Sequence, residues 1–237
     1  MKEICMLHSK RFLFLVVVFA ILPMMLMGQS QDMTVEESYL QESVEIMIIR
    51  EQSRAENRDM KMVALEYIGD VIGRGNKGEE VHAALEFLSL EGVLNITREN
   101  GRVMNNYPDV RAKAATYLGQ LGSTEARDTL VKMVSVDNEP MVLTEAIKSL
   151  ATIGINDNND TVNAILWTFN RFDHLRPDNL LALSTIEAFE KLSASAGGIK
   201  DPAVIQTLAR IAESGNYIRP VRIRARLLLD DLLVPKE

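Results

Sequence analysis

A helical phrase that returns at intervals constrains this chain more than any other feature. Tyr107-Pro108-Asp109-Val110-Arg111-Ala112-Lys113-Ala114-Ala115-Thr116-Tyr117-Leu118-Gly119-Gln120-Leu121-Gly122 recurs in degenerate form near Met60, Pro140, Thr185 and Val221. One shift carries Pro108 onto Pro140, Ala114 onto Ala146, Leu118 onto Leu150 and Gly122 onto Gly154. Each such unit leaves an apolar face that only a neighbouring unit can close. The repetition therefore predicts an all-α fold, a right-handed solenoid of about four to five helix pairs.

The pattern can be followed along the chain. Glu36 to Arg54 carries Leu40, Val44, Met47, Ile48 and Ile49 at helical spacing, and Arg58 to Gly73 places Met60, Val63, Ala64, Tyr67, Ile68 and Val71 on one stripe. Glu79 to Leu90 is its partner helix, with Val81, Ala84, Leu85 and Leu88 inward. The polar stretch Asn95 to Asn106 then interrupts the array. Pro108 suits a first helical turn, where its missing N–H has no intrahelical partner, and Gly119 and Gly122 permit close packing and the exit. Glu125 to Val134, Thr161 to Phe172 and Pro202 to Ala212 read as second helices of successive pairs. Asn179 to Leu192 and Pro220 to Leu233 read as divergent first helices, the latter as a terminal cap.

The first thirty residues are of another kind. Lys2, Lys10 and Arg11 precede an apolar run from Phe12 to Met27, and Gly28 and Ser30 supply small residues at −3 and −1 of a cut before Gln31. This is a secretory signal pattern, expected to place the mature chain outside the cytoplasm, in a bacterial periplasm. A retained anchor is the alternative, although the run is about 16 residues where a spanning helix wants roughly 20, and Pro23 interrupts it. The expected organisation is 1–30 signal peptide, 31–41 polar lead-in and 42–237 solenoid. The single cysteine, Cys5, lies before the apolar run, so disulfides are not expected to contribute to the mature fold.

The chain carries 33 acidic against 26 basic residues, a formal charge of −7. Loss of residues 1–30 would remove three basic residues and one acidic, making it more acidic still. That balance argues against general nucleic-acid binding, which needs a basic footprint.

Pro or Asp, then Val-Arg, a small residue and Leu-Gly-x-Leu-Gly resembles the short HEAT-repeat signature of the subgroup named after phycobilisome lyases. Pro108-Asp109-Val110-Arg111, Ala114 and Leu118-Gly119-Gln120-Leu121-Gly122 carry the resemblance best, and it extends in part over Glu42 to Leu233. It implies an α-solenoid whose first helices lie outside and whose second helices line a concave face. Armadillo and TPR arrays are neighbouring alternatives, but no TPR tryptophan-glycine-tyrosine pattern is present. Arg111, with Lys61 and Arg222 in the same register, needs no ligand: such a cation can pair with an acidic residue of its own or the adjacent repeat.

Candidate chemistry is sparse. After residue 30 only His82 and His174 remain as histidines. Glu79-Glu80-x-His82 has metal-ligand residue types without the His-x-x-x-His pairing of a helical zinc site, and a solvated helix start accounts for it. Asp173-His174 reads as part of a surface loop before Pro177. Asn156-Asp157-Asn158-Asn159-Asp160 resembles half a calcium loop but has Thr168 where the closing glutamate belongs. Gly73-Arg74-Gly75-Asn76-Lys77-Gly78 lacks the strand and Lys-Ser/Thr end of a phosphate loop. No metal, cofactor, small-molecule substrate or catalytic constellation is expected.

Two features point to a partner instead. Arg219, Arg222 and Arg226 follow an i, i+3, i+7 pattern that presents three guanidinium groups on one helical face to an acidic partner or a membrane headgroup surface. Trp167, if exposed, is a natural anchor for a bound peptide. The reading is an exported, non-enzymatic scaffold that binds a partner protein. The alternatives are a membrane-anchored component of an envelope assembly and a lyase-like enzyme accessory.

Overall fold

The computed structural model describes residues 34–195, Ile199 and 201–233. The expected signal peptide lies outside the described residues, as does the start of the lead-in. The chain divides into two compact units, Met1–Ser43 and Val44–Glu237. Of the first, the described part is the beginning of helix α1 (Val35–Arg54), which starts within the stretch read as a lead-in. No helix among the described residues is long and apolar enough to cross a membrane.

The second unit is an all-α helical-repeat solenoid. After α1 come α2 (Arg58–Gly73), α3 (Glu79–Ser89), α4 (Pro108–Leu121), α5 (Thr124–Val136), α6 (Pro140–Ile153), α7 (Asp160–Leu175), α8 (Asn179–Ser195), α9 (Pro202–Glu213) and α10 (Arg219–Leu233). They stack in two layers: α2, α4, α6, α8 and α10 pack in sequence on one another, and α3, α5, α7 and α9 form the second layer. The boundaries follow local chemistry. Asn57, Ser123 and Asp201 accept first-turn N–H bonds of α2, α5 and α9, while Pro108, Pro140 and Pro202 open α4, α6 and α9. Gly122 and Gly154 end α4 and α6 in the left-handed region, at φ 71° and 73°, which a side chain would resist.

The core is one continuous seam, mostly Leu, Ile, Val and Ala, including Leu65, Ile68, Leu85, Leu118, Leu130 and Leu150, with Phe169 among its aromatics. Each buried Leu, Ile, Val or Phe side chain contributes about 1.5–3 kcal/mol by leaving water. Helices approach closely where residues are small. A Cβ on Gly119 of α4 would meet Ser149 Cβ of α6 at 2.8 Å, and one on Gly69 of α2 would meet the Tyr117 ring of α4 at 2.8 Å. The same register position contacts the same neighbouring position one repeat on, which is the geometric meaning of the phrase.

The insertion gains an element of its own, and two expectations are corrected. Asn95 to Asn106 contains a small hairpin, β1 (Arg98–Glu99) paired with β2 (Arg102–Val103), turned through Asn100 and Gly101 at positive φ. Met60 and Val63, read as part of one apolar stripe, are exposed, and Lys61 is buried instead. Asp173 is not in a surface loop. It occupies the last turn of α7 and is buried.

Candidate functional site

Among the described residues, a ladder of ion pairs links successive repeats. Arg111, 1% exposed, reaches from α4 to Asp137 beyond the end of α5, with Nε 2.6 Å from Oδ2 and Nη2 3.3 Å from Oδ1. Its Nη1 donates to Glu91 O at 3.0 Å and Asn106 Oδ1 at 2.8 Å. One repeat earlier, Lys61, also 1% exposed, stands 3.1 Å from Glu91 Oε2 and donates to Ser53 O. In both rungs a cation on a first-layer helix ties the end of the preceding helix to an acid at the end of the following second-layer helix. Buried charges paired this way are costly to separate, about 3–5 kcal/mol when one partner is removed.

The third rung is built differently. Leu143 occupies the register of Arg111, so Asp173 takes its partners from the next repeat: Arg210 Nε at 2.8 Å and the Tyr217 hydroxyl, which donates to Oδ1. Burial and this hydrogen bond to the Asp173 carboxylate push the Tyr217 phenol well above its usual range. Arg222, the remaining member of the register, has no buried carboxylate opposite it among the described ion pairs.

The insertion before α4 serves the same ladder. Asn105 is buried, donates to Glu91 Oε1 at 2.7 Å and Asn95 O at 2.6 Å, and accepts from Thr97 N at 2.8 Å. On the surface, Arg58 of α2 pairs with Asp109 of α4. Burial raises the Asp109 pKa, but the Arg58 hydrogen bond and charge outweigh it and hold the carboxyl below its ordinary range. Lys77, in the glycine-rich turn, donates to Gln120 O and Leu121 O and so satisfies the carboxyl end of α4.

Of the partner candidates, Trp167 is 52% exposed on α7, and the Arg171 guanidinium carbon lies 4.6 Å from its ring centroid. Arg171 is itself fixed, donating from Nη1 to Ser135 O at 3.2 Å and from Nη2 to Asp137 O at 2.6 Å. Burial lowers its pKa from the ordinary guanidinium value, with the Asp137 charge opposing. Phe169 and Phe172 beside it are buried. Arg219, Arg222 and Arg226 share the outer side of α10, in the other layer from Trp167. Arg219 and Arg226 are exposed, Arg222 is half-buried, and Arg226 donates to Ala212 O at 3.4 Å. The intervening Arg224 pairs with Glu190 at 2.6 Å.

The remaining candidates are not brought together. His82 is half-buried with Nε2 3.4 Å from Thr129 Oγ1, and His174 is exposed at the end of α7. Asp157 and Asp160 each lie 4.0 Å from Arg127 rather than converging on a cation site. No group of three or more His, Cys, Asp or Glu among the described residues is arranged to hold a metal ion. Arg171 was missed in the sequence, although Trp167 and Arg171 stand at i, i+4 on one helix, the spacing that stacks side chains. Asp137, Asn105 and Tyr217 carry no local signal, because their partners lie 26, 14 and 44 residues away.

Residues 103–168 match the family model for HEAT repeats. The match spans Arg111, Asp137 and Trp167 and supports a HEAT-repeat protein, a class whose members commonly mediate protein–protein interaction. No curated protein matches the chain.

Proposed function

We propose that this protein is an exported, non-enzymatic scaffold that binds a partner protein on its helical-repeat surface in an extracytoplasmic space, most plainly a bacterial periplasm. The observation that carries the reading is the Trp167–Arg171 pair. A large aromatic surface stands half in solvent, and the cation stacked on it is pinned by two backbone carbonyls, so docking a partner there costs little side-chain entropy. The basic leader, the apolar run and the small residues before Gln31 support export. The resemblance to the lyase-type subgroup does not extend to thioether chemistry on a protein whose only cysteine is Cys5, within the leader.

Crosslinked capture from the native envelope fraction tests the reading, comparing the unaltered protein with Trp167→Ala. A stoichiometric protein lost from the variant and retained by the parent supports it, and a partner held equally by both overturns Trp167 as the anchor. Intact mass of the captured chain tests export separately. A chain beginning at Gln31 supports a released scaffold, and one retaining Phe12 makes it a membrane-anchored envelope component.

A further inference from the structure

The repeat leaves one face of α10 open. In the shared register, where Val221 answers Val110 and Ala225 answers Ala114, Ile223, Arg226 and Asp230 stand where α4 has Ala112, Ala115 and Gly119. α4 buries those positions, with Gly119 against Ser149 of α6. On α10 the same face is exposed, and Ile223 and Leu227, the latter 60% exposed, extend it. Val221, Ala225 and Leu228 are the buried side of this helix, so the open stripe is Arg219, Ile223, Arg226 and Leu227.

At the other end of the array, α1 precedes α2 and is tied to it through Lys61. Lys61 takes Ser53 O at its end just as Arg111 takes Glu91 O beyond α3. Ile49 and Ser53 are buried, while Val44, Met47 (58% exposed) and Glu51 face outward at i, i+3, i+7. No first-layer helix precedes α1 among the described residues.

We propose that these two faces meet between copies: α10 of one molecule packs antiparallel against α1 of a second. That alignment sets Met47 on Ile223 and Val44 on Leu227, with Glu51 beside Arg219. Charge selects the occupant. Arg219 and Arg226 make the open side of α10 basic in an acidic chain, whereas α1 presents Glu51 on its outward side; Arg224 is held by Glu190, and Glu45 is buried against Arg74. Arg219 has no ion-pair partner among the described residues. The contact is heterologous, each copy keeps one free end, and association continues head to tail instead of closing at a dimer. The proposal is separate from the Trp167 reading, because that surface lies on α7.

Sedimentation of the mature protein from about 1 to 200 µM, a range that brackets the weak affinities of small interfaces, tests it. The expected result is an average mass that rises past the dimer with concentration and falls with salt. Leu227→Glu and Met47→Glu, both at exposed positions, are each expected to stay monomeric alone at unchanged helicity, yet to form a 1:1 dimer that does not grow when mixed. Arg219→Glu is expected to weaken association several-fold, and mixing it with Glu51→Arg to restore it. A monomer at every concentration, or association that survives both Leu227→Glu and Met47→Glu, overturns the proposal.

Discussion

Arg111 Nε stands 2.6 Å from Asp137 Oδ2 with both side chains shut away from solvent, so one repeat is bound to the next by charge as well as by apolar packing. The pair is a register device. It forms only when α4 and the end of α5 are correctly placed, and Lys61 with Glu91 repeats the arrangement one unit earlier.

Truncating one partner exposes the cost of the other. Arg111→Leu, the residue found at the equivalent Leu143, leaves the Asp137 carboxylate buried without its cation and is expected to lower unfolding stability by about 3–5 kcal/mol. Arg111→Leu combined with Asp137→Asn recovers part of that loss, because no unpaired charge remains. Urea denaturation of the single and double variants measures the coupling, and additive losses would contradict it.

Gly119→Ala separates helix propensity from packing. Propensity predicts a gain of about 1 kcal/mol, but the added Cβ sits 2.8 Å from Ser149 Cβ, and overpacking costs about 1–3 kcal/mol. The expected outcome is a lower denaturation midpoint. A raised midpoint would mean that α4 and α6 are not this close.

Asn105→Ala removes donors to Glu91 and Asn95 and the acceptor of Thr97 N. A loss of about 1–3 kcal/mol is expected from the buried groups left unsatisfied. Arg102→Ala, on the exposed hairpin strand, is expected to stay within about 0.5 kcal/mol of the parent. Equal effects from the two would show that the insertion does not brace the ladder.

Tyr217 supplies a pH dependence with a definite sign. Its phenol is held protonated in the folded state by burial and the Asp173 hydrogen bond, above its ordinary value of 10.0. Below pH 10 both states keep the proton and this stabilisation is fully present. As pH rises past 10 the unfolded chain loses the proton first, and stability falls by up to about 1.4 kcal/mol per pH unit for this group. Tyr217→Phe is expected to flatten the alkaline slope by up to that amount. Identical slopes for parent and variant between pH 10 and 11.5 would remove Tyr217 as the cause.

Helices were legible wherever a short-range period sufficed. Val81, Ala84, Leu85 and Leu88 were read as an inward stripe, and all four are buried. The bounds of Arg58–Gly73 match the reading from the sequence, and in the structure Asn57 caps the first turn. The same period misjudged Met60 and Val63: it identifies an apolar side of a helix, but a covering neighbour belongs to another part of the chain. The register also brought out Arg111 and Lys61, although nothing local gave their burial.

The amino-acid order was enough to define the all-α repeat class, the approximate helix spans and the recurring cation, since each rests on contacts within one or two helical turns. It was also enough to raise Trp167 and the α10 arginines as candidates. Three-dimensional packing decided which acid meets which cation, that Asp173 is sealed by Tyr217, that Asn105 braces Glu91, and that Arg171 holds the exposed Trp167. Those pairings close loops of tens of residues, and their strength comes from water excluded by the assembled core, a condition that no local segment carries.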